Sequence, residues 1–201
     1  MRRPFNKRLD MESRFERARR RNMASSGPGL HECILVLDGL KPDFNIGKIF
    51  RSADAFGVRE VHLVGVRAFD PDPAKGSVRW VTFHVHDDFS ACYRVLSRQG
   101  YTIVALEPGC SNLLGDYGFA VKTAFVMGHE EFGLSFDRIE FPDIQGLSIP
   151  QWGHVQSLNV SVAASIVLYE YVRQHGRPVS EGLPQKGASL NTKCAGSSNG
   201  R

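Results

Sequence analysis

The chain has 201 residues, of which 42% are hydrophobic and 23% are charged, and its formal net charge is +4. This length and apolar content suit one globular domain with short extensions, and they exclude a chain that is disordered throughout. The charge is uneven, because residues 1–22 carry +6, residues 176–201 carry +3 and the segment between them carries −5. Basic ends on an acidic domain indicate a polyanionic partner, and they favour nucleic acid over a membrane.

The sequence also argues against several locations and site types. No stretch approaches the ~18 uncharged apolar residues of a membrane-spanning helix, and no apolar region follows Arg2 and Arg3 as it would in a secretory signal. The four cysteines are far apart and form no CxxC pair, so neither a zinc ribbon nor a thioredoxin-like motif is indicated. Reduced thiols in a cytoplasmic protein are therefore expected.

The predicted elements begin with residues 11–22, where good helix formers with almost no apolar face indicate a solvated helix or a flexible arm. A linker rich in Gly and Ser follows at residues 25–29. Strands are predicted at 33–37, 61–66, 101–106, 123–128 and 147–150, and helices at 45–56, 88–99 and 158–173. The strands are apolar throughout, which predicts an α/β fold with a mainly parallel sheet covered by helices on both faces. The tail from residue 176 is predicted to be flexible.

The segments that follow the strands indicate where a ligand would bind. Gly and polar residues cluster at 38–47, 107–110, 128–133 and 150–159. Parallel α/β sheets bind ligands at the carboxyl ends of their strands, so four such loops at a common edge predict a site there. The sequence contains neither GxGxxG after its first strand nor GxxxxGK[ST], which argues against a dinucleotide-binding domain and a P-loop enzyme.

Three of these regions contain motifs of a known family. They are residues 45–58 (NIGKIFRSADAFGV), 125–135 (FVMGHEEFGLS) and 149–164 (IPQWGHVQSLNVSVAA). In this order they resemble the SpoU/TrmH family of RNA ribose 2′-O-methyltransferases, within the SPOUT superfamily, over about residues 32–174. The resemblance implies a mainly parallel six-stranded sheet with a C-terminal trefoil knot, a rare exception to unknotted topology. It divides the chain into a basic N-terminal arm and linker (1–29), the methyltransferase domain (30–175) and a flexible basic tail (176–201).

The resemblance also implies a cofactor and an assembly. S-adenosylmethionine would be the methyl donor, bound within the knot, and the protein would be an obligate homodimer. Contacts to the adenine side of the cofactor are expected mainly from the backbone at Leu106, Glu107, Gly128, Ile149 and Leu158. The reaction is expected to need no metal.

Catalytic roles are implied for Arg51, Asn45, Glu130, Ser157 and Asn159. Arginine is a poor general base because its pKa exceeds about 12, so Arg51 is better suited to binding the substrate phosphate and stabilising the developing 2′-alkoxide. Without the motifs, Arg51 would be interpreted as a snorkelling side chain and Glu130 as a solvated loop acid. Asn45 could also cap its helix, and Ser157 or Asn159 could cap the last one.

Other conspicuous side chains have simpler interpretations. His84 and His86 alternate on a further predicted strand, but no third metal ligand is evident, so they are interpreted as surface histidines. Phe44, Phe132 and Trp152 are interpreted as packing or dimer contacts, with base stacking as the alternative.

The sequence thus predicts in-line methyl transfer to an RNA ribose 2′-OH, accelerated mainly by positioning the two reactants. Small size favours tRNA as the substrate, and ribosomal RNA is the alternative. The competing classes are a non-catalytic RNA-binding protein with this fold and an α/β enzyme acting on a small molecule, which leaves the basic ends unexplained. RNA phosphates are expected to bind the following arginines: Arg2, Arg3, Arg17, Arg19, Arg20 and Arg21.

Overall fold

Six parallel strands form one sheet in the computed structural model, which describes residues 7–176. The strands are β1 His31–Asp38, β2 Val58–Val64, β3 Phe83–His86, β4 Thr102–Leu106, β5 Thr123–Met127 and β6 Gln145–Leu147. The helices are α1 Lys7–Ser25, α2 Phe44–Ala55, α3 Phe89–Arg98 and α4 Val160–His175. The strand order is β3-β2-β1-β5-β4-β6, and every pair is parallel, which confirms the predicted α/β class. The trefoil knot and the division of the chain at residues 29 and 175 stay predictions.

Alternation along the strands separates two apolar layers. In β1, Leu35 and Leu37 face the layer that contains α2 and α4, whereas Ile34 and Val36 face the layer that contains α3. Both layers are needed because successive strand side chains point to opposite faces of a sheet. Helices therefore cover both faces, as the continuous apolar strands predict. No helix within residues 7–176 has the length and hydropathy needed to cross a membrane.

The last strand lies earlier in the chain than its sequence predicts. β6 spans Gln145–Leu147, whereas the apolar pattern indicated residues 147–150. Its partner β4 ends at Leu106, which pairs with Leu147, and the next residue, Ser148, forms an isolated parallel bridge with Leu113 instead. Pro150 also lacks the backbone N–H that a longer strand would need. The loop that follows β6 therefore begins at the carboxyl end of this short strand, directly after Leu147.

Helix α1 is packed against the domain, which corrects the expectation of a helix solvated on all sides. Phe15 is 1% exposed, and its ring lies 5.0 Å from that of Phe69. Asn22 is also buried, and its Nδ2 donates 2.7 Å hydrogen bonds to the carbonyl oxygens of Val78 and Val81. Phe15 and Asn22 therefore attach α1 to the domain, although the composition of this helix is strongly polar. Their periodicity is too sparse to appear as an apolar face.

Candidate active site

A cavity of about 490 Å³ lies at the carboxyl ends of β4, β5 and β6. All five positions that the resemblance assigned to the cofactor line it: Leu106, Glu107, Gly128, Ile149 and Leu158. Glu130, Ser157 and Asn159 line it as well. A pocket of this size with mixed polar and apolar walls suits a nucleoside-sized ligand. Eight of the residues that the resemblance singles out thus line one cavity, and their functional roles stay predictions.

The loop after β5 brings backbone against backbone at the cavity wall. The N–H of His129 donates to the carbonyl oxygen of Gly133 at 2.7 Å, and the N–H of Gly133 donates back at 2.9 Å. A Cβ atom added to Gly128 would lie 2.6 Å from the carbonyl carbon of Gly133, which is closer than real Cβ contacts occur. Gly128 is therefore required by this close approach of the two backbone segments.

The cavity also presents an unsatisfied polar atom. Oε1 of Gln151 is buried, lines the cavity through its residue and has no hydrogen-bond partner within the described part of the chain. An unpaired buried acceptor is costly, so a ligand with a donor group would be favoured there. Across the cavity, Glu107 is paired with Arg138 at 2.9 Å between Nε and Oε2. Residue-based reasoning missed Gln151, although it lies inside the third motif.

A chain of side-chain hydrogen bonds joins the three motifs beside the cavity. Nδ2 of Asn159 donates to Oδ1 of Asn45 at 3.2 Å, and Nδ2 of Asn45 donates to Oε1 of Glu130 at 2.9 Å. Asn45 is 5% exposed and does not line the cavity itself, so it acts by holding Glu130 and Asn159 in place. The structure thus brings together three of the five predicted catalytic residues.

Glu130 is kept ionised by the groups around it. Burial opposes ionisation, but hydrogen bonds from Asn45 and from the backbone N–H of Lys41 outweigh it, and the pKa of Glu130 is lowered. The Lys41 ammonium itself pairs with Glu131 at 2.6 Å, and this contact lowers the pKa of Glu131. Lys41, which follows β1, was another residue not singled out from the sequence.

The helix caps settle two of the open alternatives. The N-cap of α2 is Asp43, whose side chain accepts from the N–H of Asn45 at 3.0 Å, so Asn45 is not the cap. Asn159 does cap α4, because its Oδ1 accepts from the N–H of Ser161 at 2.9 Å. Ser157 precedes this cap, is exposed and leaves its hydroxyl at the cavity wall.

Arg51 lies outside the cavity. It follows Asn45 by six residues on α2, which turns it about 240° around the helix axis. Arg51 is exposed and lines a separate depression of about 740 Å³ between α2 and α4, shared with Lys48 and Tyr169. The structure of the single chain therefore does not place Arg51 at the predicted cofactor position.

Exposed aromatic and aliphatic side chains surround the two depressions. Trp152 is 91% exposed, and Phe132 is 80% exposed although its ring stacks on that of His129 at 4.7 Å. Phe44 is half-exposed, with the Lys48 ammonium 4.6 Å from its ring centroid. None of these three aromatics belongs to the buried core, and their interpretation as packing or dimer contacts, with base stacking as the alternative, stays a prediction.

Known proteins share this arrangement. A protein-family model, described as the SpoU rRNA Methylase family, matches residues 32–169 of this chain. A tRNA (guanosine(18)-2′-O)-methyltransferase of Thermus thermophilus is 34% identical over 170 residues, covering 82% of this chain and 86% of the relative. The 23S rRNA (guanosine-2′-O-)-methyltransferase RlmB of Nitrosomonas europaea is 36% identical over 155 residues, covering 75% and 59%.

Two solved structures share the fold. The TrmH/SpoU tRNA modifying enzyme of A. aeolicus superposes with a TM-score of 0.65 at 30% identity, covering 83% of this chain and 85% of that one. The AdoMet-bound rRNA methyltransferase of Sinorhizobium meliloti superposes with a TM-score of 0.64 at 25% identity, covering 73% and 58%.

Proposed function

Because the chain belongs to the SpoU rRNA methylase family, we propose that it transfers a methyl group from S-adenosylmethionine to a ribose 2′-OH of RNA. The observation that carries the proposal is that the five expected cofactor positions line one cavity beside the Asn159–Asn45–Glu130 hydrogen-bond chain. The same residues argue against a non-catalytic RNA-binding protein, which would have no need of a hydrogen-bond chain that holds Glu130 in position at a cavity wall.

The cavity residues fit the cofactor. Gly128 permits the tight loop at the cavity wall, and Gln151 offers an unpaired acceptor to a donor group such as an adenine amino group. Leu106, Ile149 and Leu158 supply apolar walls for the adenosine. When bound, S-adenosylmethionine supplies a methyl group on a positively charged sulfur, which an oxygen nucleophile can attack in line.

The protein residues then act by positioning and charge. Asn45 fixes Glu130 and Asn159, and Ser157 adds a hydroxyl at the same wall. Arg51 binds the phosphate next to the reacting ribose and stabilises negative charge on the 2′ oxygen as it attacks. Holding both reactants in line converts the transfer into an effectively intramolecular step.

The site is completed by a homodimer. Arg51 lies outside the cavity of its own protomer, in the depression between α2 and α4. Apolar side chains at and near α4 are exposed, with Val162 46%, Tyr169 63%, Trp152 91% and Val155 64% exposed. Covering this surface with a second copy would remove the apolar exposure. The arrangement would place Arg51 of one protomer beside the cavity of its partner.

RNA is held by basic side chains on and around α1. Arg17, Arg19, Arg20 and Arg21 are all exposed on this helix. A groove of about 960 Å³ runs between α1 and the loops after β1 and β2, with Arg8 and Arg67 among its lining residues. Phosphate contacts of this kind position a substrate without specifying its sequence. Arg2, Arg3 and the predicted tail beyond residue 176 lie outside the described residues.

A tRNA is the favoured substrate. The tRNA methyltransferase of Thermus thermophilus is matched over 86% of its length, whereas RlmB is matched over 59% of its length. Ribosomal RNA is the second candidate, because RlmB is an equally similar relative in sequence. A cytoplasmic location is proposed with it, supported by the unpaired thiols of Cys33, Cys92 and Cys110.

Incubation with methyl-labelled S-adenosylmethionine tests the proposal. Separate reactions contain bulk tRNA, 23S-type rRNA, or no RNA. We expect label to enter tRNA. Label only in rRNA would support the same reaction with rRNA as the substrate. RNA binding without label would indicate a non-catalytic protein. Label in small molecules alone would show that the protein is not an RNA methyltransferase.

A further inference from the structure

A cluster of imidazole and thiol side chains lies on the α3 side of the sheet. It is near β3, the edge strand on the side of the sheet away from the cavity. His62 on β2, His86 on β3 and Cys92 on α3 meet there. Nδ1 of His62 is 3.0 Å from Nε2 of His86 and 3.5 Å from Sγ of Cys92. The three donor atoms all lie within 4.8 Å of one another.

The fold explains why no sequence motif predicts this cluster. Parallel pairing sets Val64 of β2 beside His86 of β3, so His62 and His86 share one face of the sheet and their rings stack at 4.9 Å. The first turns of α3 then bring Cys92 down onto His62. The third donor thus comes from tertiary packing, and the spacing 62, 86 and 92 resembles no metal motif.

We propose that His62, His86 and Cys92 bind one zinc ion. Zn–N bonds of ~2.0–2.1 Å and Zn–S bonds of ~2.3 Å place neighbouring donors of a tetrahedral site about 3.3–3.7 Å apart. The two separations at His62, 3.0 Å and 3.5 Å, come close to this, and the donor atoms of His86 and Cys92 lie within 4.8 Å of each other. Imidazole and thiolate donors also select zinc over the hard cations Mg²⁺ and Ca²⁺.

The surroundings of His62 support a metal on its Nδ1 atom. His62 is 1% exposed, and its other ring nitrogen, Nε2, lies 3.2 Å from Oε1 of Glu60. A carboxylate that accepts from the second nitrogen is the usual partner of a metal-ligating histidine, because it fixes the tautomer and points the free nitrogen at the ion. Cys92 is fully buried, so its sulfur faces only this cluster and the surrounding core.

A hydrogen-bonded state without metal is the competing arrangement. In it, Nε2–H of His86 donates to Nδ1 of His62, and Nε2–H of His62 donates to Glu60. Zinc would take the place of the Nε2 proton of His86, which would move to Nδ1, and it would displace the thiol proton of Cys92 to solvent. It would tie β3, a four-residue strand at the edge of the described sheet, to α3. No further His, Cys, Asp or Glu within residues 7–176 joins the three donors, so water takes the fourth position.

Metal binding by the untagged full-length protein tests the assignment. After dialysis against a chelator, Zn²⁺ is titrated against a chromophoric competitor, and Co²⁺ is added separately to report thiolate coordination by absorption. We expect one ion per chain, and a thiolate-to-cobalt band that C92S abolishes together with more than ~100-fold of the zinc affinity. Glu60→Gln should weaken binding by ~10–100-fold through the loss of the orienting carboxylate.

Matched variants separate this site from its neighbours. Cys110→Ser removes a thiol elsewhere and His154→Ala removes an exposed histidine elsewhere, so both should keep wild-type affinity. Retention of binding by C92S and His86→Gln, loss of binding in His154→Ala, or absence of a one-to-one complex in the wild type would each overturn the assignment. Circular dichroism of every apo variant shows that it is folded, and His86→Gln changes only a half-buried edge position.

Discussion

Nδ2 of Asn45 donates a 2.9 Å hydrogen bond to Oε1 of Glu130, although the two residues are 85 positions apart in the chain. The same side chain accepts from Asn159, which caps α4. Asn45 therefore fixes the relative positions of the first, second and third motifs with one amide group. Each of its polar atoms has a partner, so replacement of any of the three residues leaves a buried or half-buried group unsatisfied.

The difference in stability between the wild type and Glu130→Gln should depend on pH, because only the wild type has the carboxylate that accepts from Asn45. The pKa of Glu130 is lowered below its usual value of 4.5, so the ionised carboxylate stabilises the fold above pH 4.5, and this contribution is lost as the pH falls below it. We expect the variant to be less stable than wild type by about 1 kcal/mol at pH 7, with the difference shrinking towards pH ~3. Urea unfolding at both pH values measures it. A difference that widens in acid would contradict the assigned ionisation.

Gly128→Ala should weaken cofactor binding without unfolding the domain. The new Cβ would lie 2.6 Å from the carbonyl carbon of Gly133, so the loop must move into or away from the cavity. We expect S-adenosylmethionine affinity to fall by at least ~10-fold, measured by calorimetry, since about 1.4 kcal/mol of loop strain suffices. Gly118→Ala is the matched control, because a Cβ there meets nothing within 4 Å. Equal affinities in the two variants would refute the cavity as the cofactor site.

Arg51→Ala should abolish methyl transfer and leave cofactor binding nearly intact. Arg51 lines the depression between α2 and α4 and not the cavity, so its removal leaves the expected cofactor contacts in place. We expect at least a ~100-fold loss of kcat, similar to the loss of one preorganised donor at a developing oxyanion. Arg98→Ala, an exposed arginine at the end of α3, should behave as wild type. Wild-type turnover by the Arg51→Ala protein would contradict the role assigned to Arg51 in methyl transfer.

Replacement of Arg17, Arg19, Arg20 and Arg21 by Gln should weaken RNA binding and flatten its salt dependence. Each lost phosphate contact lowers the slope of log affinity against log salt by ~0.7–0.9. Substitution is preferable to truncation of residues 1–22, because truncation would also remove the buried Phe15 and expose Phe69. Filter binding at several salt concentrations provides the measurement. An unchanged slope would show that α1 does not touch RNA.

Much of the fold could be predicted from the sequence because its signals are local. The continuous apolar runs predict strands buried on both faces, and β1, β2, β4 and β5 lie where the runs are. β6 was misplaced because its length depends on where β4 ends. Helix α1 was misjudged because Phe15 and Asn22 are buried by groups 54 or more positions away, which no periodicity in α1 reveals.

The site divides in the same way. Motif resemblance located the cavity residues, but neither the Asn45–Glu130 bond nor the cap at Asp43 follows from motif spacing. The unpaired oxygen of Gln151 is visible only once the cavity walls are assembled. The donor set of His62, His86 and Cys92 likewise depends on strand register and helix packing, so residue order alone did not suggest it.

Identification of the methylated product tests the central claim most directly. RNA labelled by the wild-type protein is digested to nucleosides and analysed by mass spectrometry. We predict that the added methyl group is found on the ribose 2′ oxygen, in a 2′-O-methylnucleoside, and that the Arg51→Ala protein yields none of it. A methyl group on a base, or no methylated nucleoside from either tRNA or rRNA, would contradict the account.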